Sequence, residues 1–248
     1  MALPKTGVES APPGTEKPCM RNKENHLNAS VRRLRIGLAV AASALAVCVL
    51  PATALGSVTD TTQFGVTAGA LNFGTAPDVP NLNAVTLTGQ AQTTNSTMAN
   101  FSVADATGSG SGYNVTVAGD GPSGSAVFKQ YCSNGVSACG ADTANSYVSG
   151  GATLAASSLT LNSTSASFSA QNGTTGTAPT HSCNAGCFVD TASPVKVVSA
   201  ATNAGMGTYL TSGYTASSLS LATPSNTKVL PANEVYRVNL VWSLNSGP

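Results

Sequence analysis

Past residue 56 the sequence predicts an all-β protein, an antiparallel β-sandwich with a disulfide-stapled, loop-rich insertion. Three observations predict it. Helical periodicity is almost absent there, and short alternating or β-branched segments are separated by clusters of Gly, Asn, Ser, Asp and Pro. The final segment alternates most clearly, with Tyr236, Val238, Leu240, Trp242 and Leu244 on one face and Arg237, Asn239, Val241 and Ser243 on the other. Four cysteines gather in one Ser-, Thr-, Gly- and Ala-rich stretch.

Residues 1–56 read as an N-terminal extension and signal peptide. A polar, aperiodic start leads to Arg32, Arg33 and Arg35, then to the uncharged run Ile36–Leu50, which Pro51 breaks. Ala52-Thr53-Ala54 supplies an A-x-A exit, with cleavage after Ala54 or Gly56, and translation starts at Met1 or Met20. The apolar run would extend roughly 22 Å as a helix, short of the ~30 Å hydrocarbon core, so no membrane span is expected after signal cleavage. A retained signal-anchor, a twin-arginine leader and lipidation at Cys48 are the competing readings.

The mature domain, 57–248, offers candidate strands at Gln63–Thr67, Ala70–Phe73, Ala84–Thr88, Met98–Ala104, Gly112–Ala118, Ser158–Leu161, Ser165–Ser169, Val195–Ser199, Ser218–Leu221 and Glu234–Leu244. In Gly112–Ala118, Tyr113, Val115 and Val117 are expected inward, Asn114 and Thr116 outward. So many short strands suit a sandwich or barrel. Residues from about 128 to 190 read as an insertion or edge subdomain on this scaffold. It buries little apolar area per residue, and disulfides would help to fix it.

An even set of cysteines in an exported chain reads as two disulfides. Among Cys132, Cys139, Cys183 and Cys187 the local pairings Cys132–Cys139 and Cys183–Cys187 are favoured. His181 beside Cys183 and Cys187 raises a zinc site as the alternative, although a fourth ligand is not evident. No metal and no cofactor are expected.

Charge excludes other classes. Charged residues are 8% of the chain against about 25% in ordinary soluble proteins. Downstream of Gly56 four bases (Lys129, Lys196, Lys228, Arg237) face seven acids, a net of −3 without a basic run, so nucleic acid is not an expected partner. Asp78, Asp105 and Asp120 are the carboxylates a glycosidase would need, but each adjoins a Gly, Pro or small-residue turn where Asp commonly bonds its local backbone. His181 is the sole histidine past residue 56, which leaves no Ser-His-Asp set. Gly108, Gly110 and Gly112 precede no helix, so they fit a tight hairpin or bulge better than a phosphate cradle.

The closing residues Tyr236-Arg-Val-Asn-Leu240-Val-Trp242-Ser-Leu244-Asn-Ser-Gly-Pro248 resemble the terminal motif of the WxL domain family. Leu71-Asn-Phe73-Gly74 is similar to that family's early Phe-Gly strand. Phe101-Ser-Val103-Ala-Asp105, with the Gly-rich turn to Gly112-Tyr113, resembles the approach to its first Trp-x-Leu motif, where this chain has Tyr113-Asn114-Val115. The resemblance spans about 61–121 and 200–248. It implies a protein of a Gram-positive surface held non-covalently by peptidoglycan or another cell-wall glycan, within reach of other surface proteins. The motif residues Asp105, Gly112, Tyr113, Tyr236, Trp242 and Leu244 would then be structural or wall-binding. Trp242 and Tyr113 suit a core role better than sugar stacking, since both sit on the apolar face of their strands. The C-terminus carries no sortase-type motif or apolar tail, which points away from covalent anchoring.

The expected protein is therefore secreted, extracellular and cell-wall associated, binding without catalysis. The alternative is a structural subunit of a pilus, coat or surface layer that pairs through edge strands, with Ser57–Thr67 as a conceivable donor strand. A wall-active glycoside hydrolase ranks third.

Overall fold

Short β-branched segments bury one face each, so they must pair sideways and stack. A computed structural model describes residues 59–121, 124–133 and 145–248. The expected signal peptide, Cys139 and Asp142 lie outside the described residues. Among the described residues fourteen strands follow in order: β1 (Leu71–Thr75), β2 (Gln92–Ser96), β3 (Phe101–Asp105), β4 (Tyr113–Gly119), β5 (Lys129–Cys132), β6 (Leu159–Leu161), β7 (Ser167–Gln171), β8 (Thr180–His181), β9 (Cys187–Phe188), β10 (Val195–Ala200), β11 (Gly207–Ser212), β12 (Leu219–Thr223), β13 (Glu234–Arg237) and β14 (Leu240–Ser246). All lie in the unit Thr62–Pro248. Among the described residues no helix is long and apolar enough to cross a membrane.

The strands form antiparallel sheets ordered β1-β3-β11-β7, β14-β4-β10-β8 and β2-β12-β6-β9, with a two-stranded ribbon β13-β5. Their inner faces meet in one sandwich-like core. Phe101 and Val103 enter it from β3, Tyr113, Val115 and Val117 from β4, Leu159 and Leu161 from β6, and Leu219 from β12. Full burial of each Leu or Val side chain stabilises by about 1.5–3 kcal/mol.

Residues 128–190 contribute strands to each sheet and to the ribbon. β7 pairs with β11, β8 with β10, β6 with β12, and β5 with β13. Phe128, Leu154, Cys183 and Val189 join the shared core.

Several expected strands need correction. Gln63–Thr67 makes no ladder, and Phe64 and Val66 are 89% and 85% exposed. Alternation there signals β-propensity, but among the described residues no strand pairs with it. Ala84–Thr88 keeps alternate burial at Val85 and Leu87 without a ladder, while the wholly polar Gln92–Ser96 pairs with β12 instead. Backbone pairing needs no apolar side chain, so that strand left no hydrophobic signal. Strand β11 was also missed, although Tyr209 and Thr211 alternate inward between Gly207 and Gly213. The short strands β5, β8 and β9 were missed as well.

The segment Glu234–Leu244 is two strands in two sheets. The chain changes sheet at Val238-Asn239, where the Asn239 N–H donates to Ser125 O at 3.3 Å and its carbonyl accepts from Asp120 N at 2.8 Å. The inward alternation survives that crossing. Tyr236, Val238, Leu240, Trp242 and Leu244 all pack against the core as half-buried side chains.

Candidate functional site

Two segments widely separated in sequence become neighbours in space. In the β4–β14 ladder Val115 faces Leu244, Thr116 faces Ser243 and Asn114 faces Asn245. Tyr113-Asn114-Val115 and Trp242-Ser243-Leu244 thus lie side by side in one sheet. Period-two geometry sends Tyr113, Val115, Trp242 and Leu244 inward, leaving Asn114, Thr116, Ser243 and Asn245 on the outer face.

The inner side is structural in its contacts. Tyr113 is wholly buried, and its hydroxyl has no hydrogen-bond partner among the described residues. Burial, with the Asp105 carboxylate and Tyr209 nearby, pushes that hydroxyl well above the ordinary tyrosine value. Its ring lies against Gly205, where a Cβ would come within 2.6 Å of Cε1. The Trp242 indole is half-buried and tilts at 49° over Phe101, with centroids 6.0 Å apart.

The turn leading into Tyr113 depends on Asp105 and Gly112. Asp105 is buried, and its Oδ1 accepts from Thr107 N at 3.0 Å and Thr107 Oγ1 at 2.6 Å. Gly112 has φ +74°, and a Cβ there would run into the Ala200 and Ala201 carbonyl oxygens. Only glycine allows the backbone to approach so closely at that φ.

The outer face continues across β10 and β8. Thr116 aligns with Lys196, Asn114 with Ser199, and Ser199 with Thr180. Asn245 Nδ2 donates to Asn114 Oδ1 at 3.2 Å, and Asn114 Nδ2 to Gly247 O at 2.9 Å. Rows of hydroxyls and amides at the ~4.8 Å strand spacing provide donors and acceptors suited to a polyhydroxylated ligand.

Tyr236 lies elsewhere. It sits on the ribbon opposite Gln130, its hydroxyl donates to Lys228 O at 2.9 Å, and it lines a groove of about 370 Å³ with Thr153, Asn226, Thr227 and Lys228. The motif residues therefore form one paired group, a turn beside it and a separate tyrosine.

Cys183 and Cys187 form a disulfide with Cα atoms 5.2 Å apart, so their sulfurs are not free to join His181 around zinc. Among the described residues no group of three or more His, Cys, Asp or Glu could hold a metal. Cys132 is also disulfide-bonded. His181 stacks on Phe168 at 4.3 Å, and its Nε2 lies 3.2 Å from Thr211 Oγ1. Burial pulls its pKa from 6.5 down to about 4.

Asp190 escaped sequence reasoning. It is fully buried and accepts hydrogen bonds from Ser158 N at 2.9 Å and Leu159 N at 3.0 Å, fixing the start of β6. Nothing in Phe188-Val-Asp190-Thr distinguishes it from a surface turn acid.

The family profile described as WxL domain surface cell wall-binding matches residues 66–248. No curated protein and no solved structure matches the chain. The family match runs through residues 128–190 as well as through both motif strands, which agrees with the weaving of that stretch into the shared sheets. With well over half of its length matched, the chain belongs to the WxL domain family of surface cell-wall-binding proteins.

Proposed function

We propose that this wall-associated protein is secreted and binds peptidoglycan non-covalently, without catalysis, through the outer face of the β14-β4-β10-β8 sheet. The observation that carries the proposal is the register placing Asn114 beside Asn245 and Thr116 beside Ser243. Both motifs contribute their middle residue, Asn114 and Ser243, to one polar surface, while their large side chains hold the sheet to the core. Many hydroxyl and amide contacts, each weak, suit a repeating glycan with N-acetyl and hydroxyl groups. Asp105 supports a non-catalytic reading, because its carboxylate is buried beneath Thr107.

Co-sedimentation of the oxidised protein with purified peptidoglycan sacculi tests this. Saturable pelleting that Thr116→Val with Ser243→Val weakens is the expected result. Sugar fragments released from the sacculi would replace it with the hydrolase reading, and an absence of pelleting would sink the peptidoglycan assignment.

A second reading, assembly through β-strand addition, draws on the exposed segment around Phe64 and Val66, which joins no ladder among the described residues. It predicts concentration-dependent polymers that a Phe64→Ser, Val66→Ser variant no longer forms.

A further inference from the structure

Cations are scarce in this domain, and two of them meet. Of the four downstream of Gly56, Lys129 and Arg237 face each other directly across the β5–β13 ladder. The backbone carbonyl of a third, Lys228, accepts the Tyr236 hydroxyl of β13. Like charges directly opposite in an antiparallel pair cost stability. Here the cost falls in a chain whose charge past residue 56 is otherwise acidic.

Alternation separates the two faces of the ribbon. Gln130, Cys132 and Glu234 are buried, and Gln130 Nε2 donates to Glu234 Oε2 on that side. Lys129, Tyr131, Val235 and Arg237 point outward; Arg237 and Val235 are exposed, Lys129 and Tyr131 half-exposed. The Arg237 guanidinium lies 4.5 Å from the centre of the Tyr131 ring, and Tyr147 meets that ring edge-on at 5.1 Å. Tyr147 is itself fixed by its hydroxyl, which donates to Asn239 Oδ1 at 3.0 Å. A guanidinium resting on an aromatic face keeps its donor fork free and pre-oriented, which is the geometry that favours phosphate over a diffuse counter-ion. Asp120 is a carboxylate whose field reaches Tyr147, so the patch is not purely basic.

We propose that the outer face of the β5–β13 ribbon binds a wall-linked anionic polymer of phosphodiester-joined polyols or sugars. Arg237 and Lys129 take a phosphate oxygen each, and Tyr131 and Tyr147 pack against the polyol or sugar carbons. The proposal rests on the cell-wall reading but uses a different face, ligand and force from the peptidoglycan contact. An anion between Lys129 and Arg237 also relieves the repulsion built into their register. Charge complementarity selects this ligand, since the hydroxyl and amide face of the β14-β4-β10-β8 sheet has no comparable cation pair.

The test compares pelleting of the full oxidised chain with cell walls that retain phosphodiester polymers and with the same walls stripped of them by hydrofluoric acid. The wild type is expected to bind the retained walls about tenfold more tightly at low salt, and the difference to fade towards about 0.5 M salt as the charges are screened. Lys129→Gln with Arg237→Gln should erase that preference and leave binding to stripped sacculi unchanged, with circular dichroism confirming the fold. Arg237→Lys, which keeps charge and loses the fork, should retain part of it. Equal wild-type binding to both walls overturns the proposal, whether or not the double variant folds. A preference that survives in the folded double variant overturns it too. Binding to stripped sacculi reports separately on the peptidoglycan contact, so either can fail alone.

Discussion

The indole of Trp242 lies over the ring of Phe101 at 6.0 Å between centroids, joining the edge strand β14 to the middle of the opposing sheet. Phe101 is fully buried and Trp242 is its half-exposed cover. Trp242→Ala should therefore cost about 2–3 kcal/mol in urea unfolding, below the range for a wholly buried aromatic. Trp242→Phe should cost less than about 1.5 kcal/mol. It should also pellet with sacculi like the wild type, because the proposed contact face is on the other side of the strand.

The outer face should respond the opposite way. Thr116→Val with Ser243→Val keeps strand-favouring shapes and removes two hydroxyls, so stability should move by no more than about 0.5 kcal/mol per site. Binding to sacculi should fall several-fold in the same pelleting assay.

Gly112→Ala should destabilise by about 2–4 kcal/mol, since the new Cβ combines a left-handed φ with contact against two carbonyl oxygens. Thermal unfolding would measure it. A loss below about 1 kcal/mol would mean that the β4 turn relaxes freely, contrary to the close approach described.

Two buried groups give opposite pH trends. The His181 pKa falls from 6.5 to about 4 on folding, so its stabilising contribution is full above pH 6.5 and is lost as pH falls towards 4. His181→Gln should flatten the dependence of Tm on pH in that window, even though it also removes the stack on Phe168. Asp190 is raised above its ordinary 3.8, first by burial, with backbone N–H bonds acting against the shift. The folded protein then holds that proton more tightly than the unfolded chain. Its contribution is full below pH 3.8 and is lost as pH rises through the folded pKa. Asp190→Ala should cost about 2–4 kcal/mol near neutrality, because the Ser158 and Leu159 N–H groups lose their acceptor.

The Cys183–Cys187 bridge closes a short loop, so the chain-entropy account gives it only about 2 kcal/mol. A Cys183→Ala, Cys187→Ala variant should show that loss by urea unfolding and leave the Cys132 disulfide intact. Any larger deficit would come from the packing of Cys183, which is fully buried in the core.

The fold class was legible because alternation is local. Tyr113, Val115 and Val117 announce the inner face of β4 from their own spacing, and the strand is buried as that spacing requires. The closing motif was legible for the same reason, and its inward residues keep their face even where the strand breaks. The break itself was hidden, since it arises from hydrogen bonds between the Asn239 backbone and the backbones of Asp120 and Ser125. Asp190 was hidden because a carboxylate in a turn gives the same local pattern whether it faces solvent or caps a buried strand.

By itself the sequence determined that the domain is all-β, which faces of its clearest strands turn inward, and to which family its motifs are similar. Tertiary structure alone decided that Val115 faces Leu244, that the polar Gln92–Ser96 is a strand while Gln63–Thr67 is not, and that two cations meet across the ribbon. The physical reason is range. Side-chain alternation is a property of residues i and i+2, whereas a ladder is made by backbone groups far apart in the chain, whose partners no local pattern specifies.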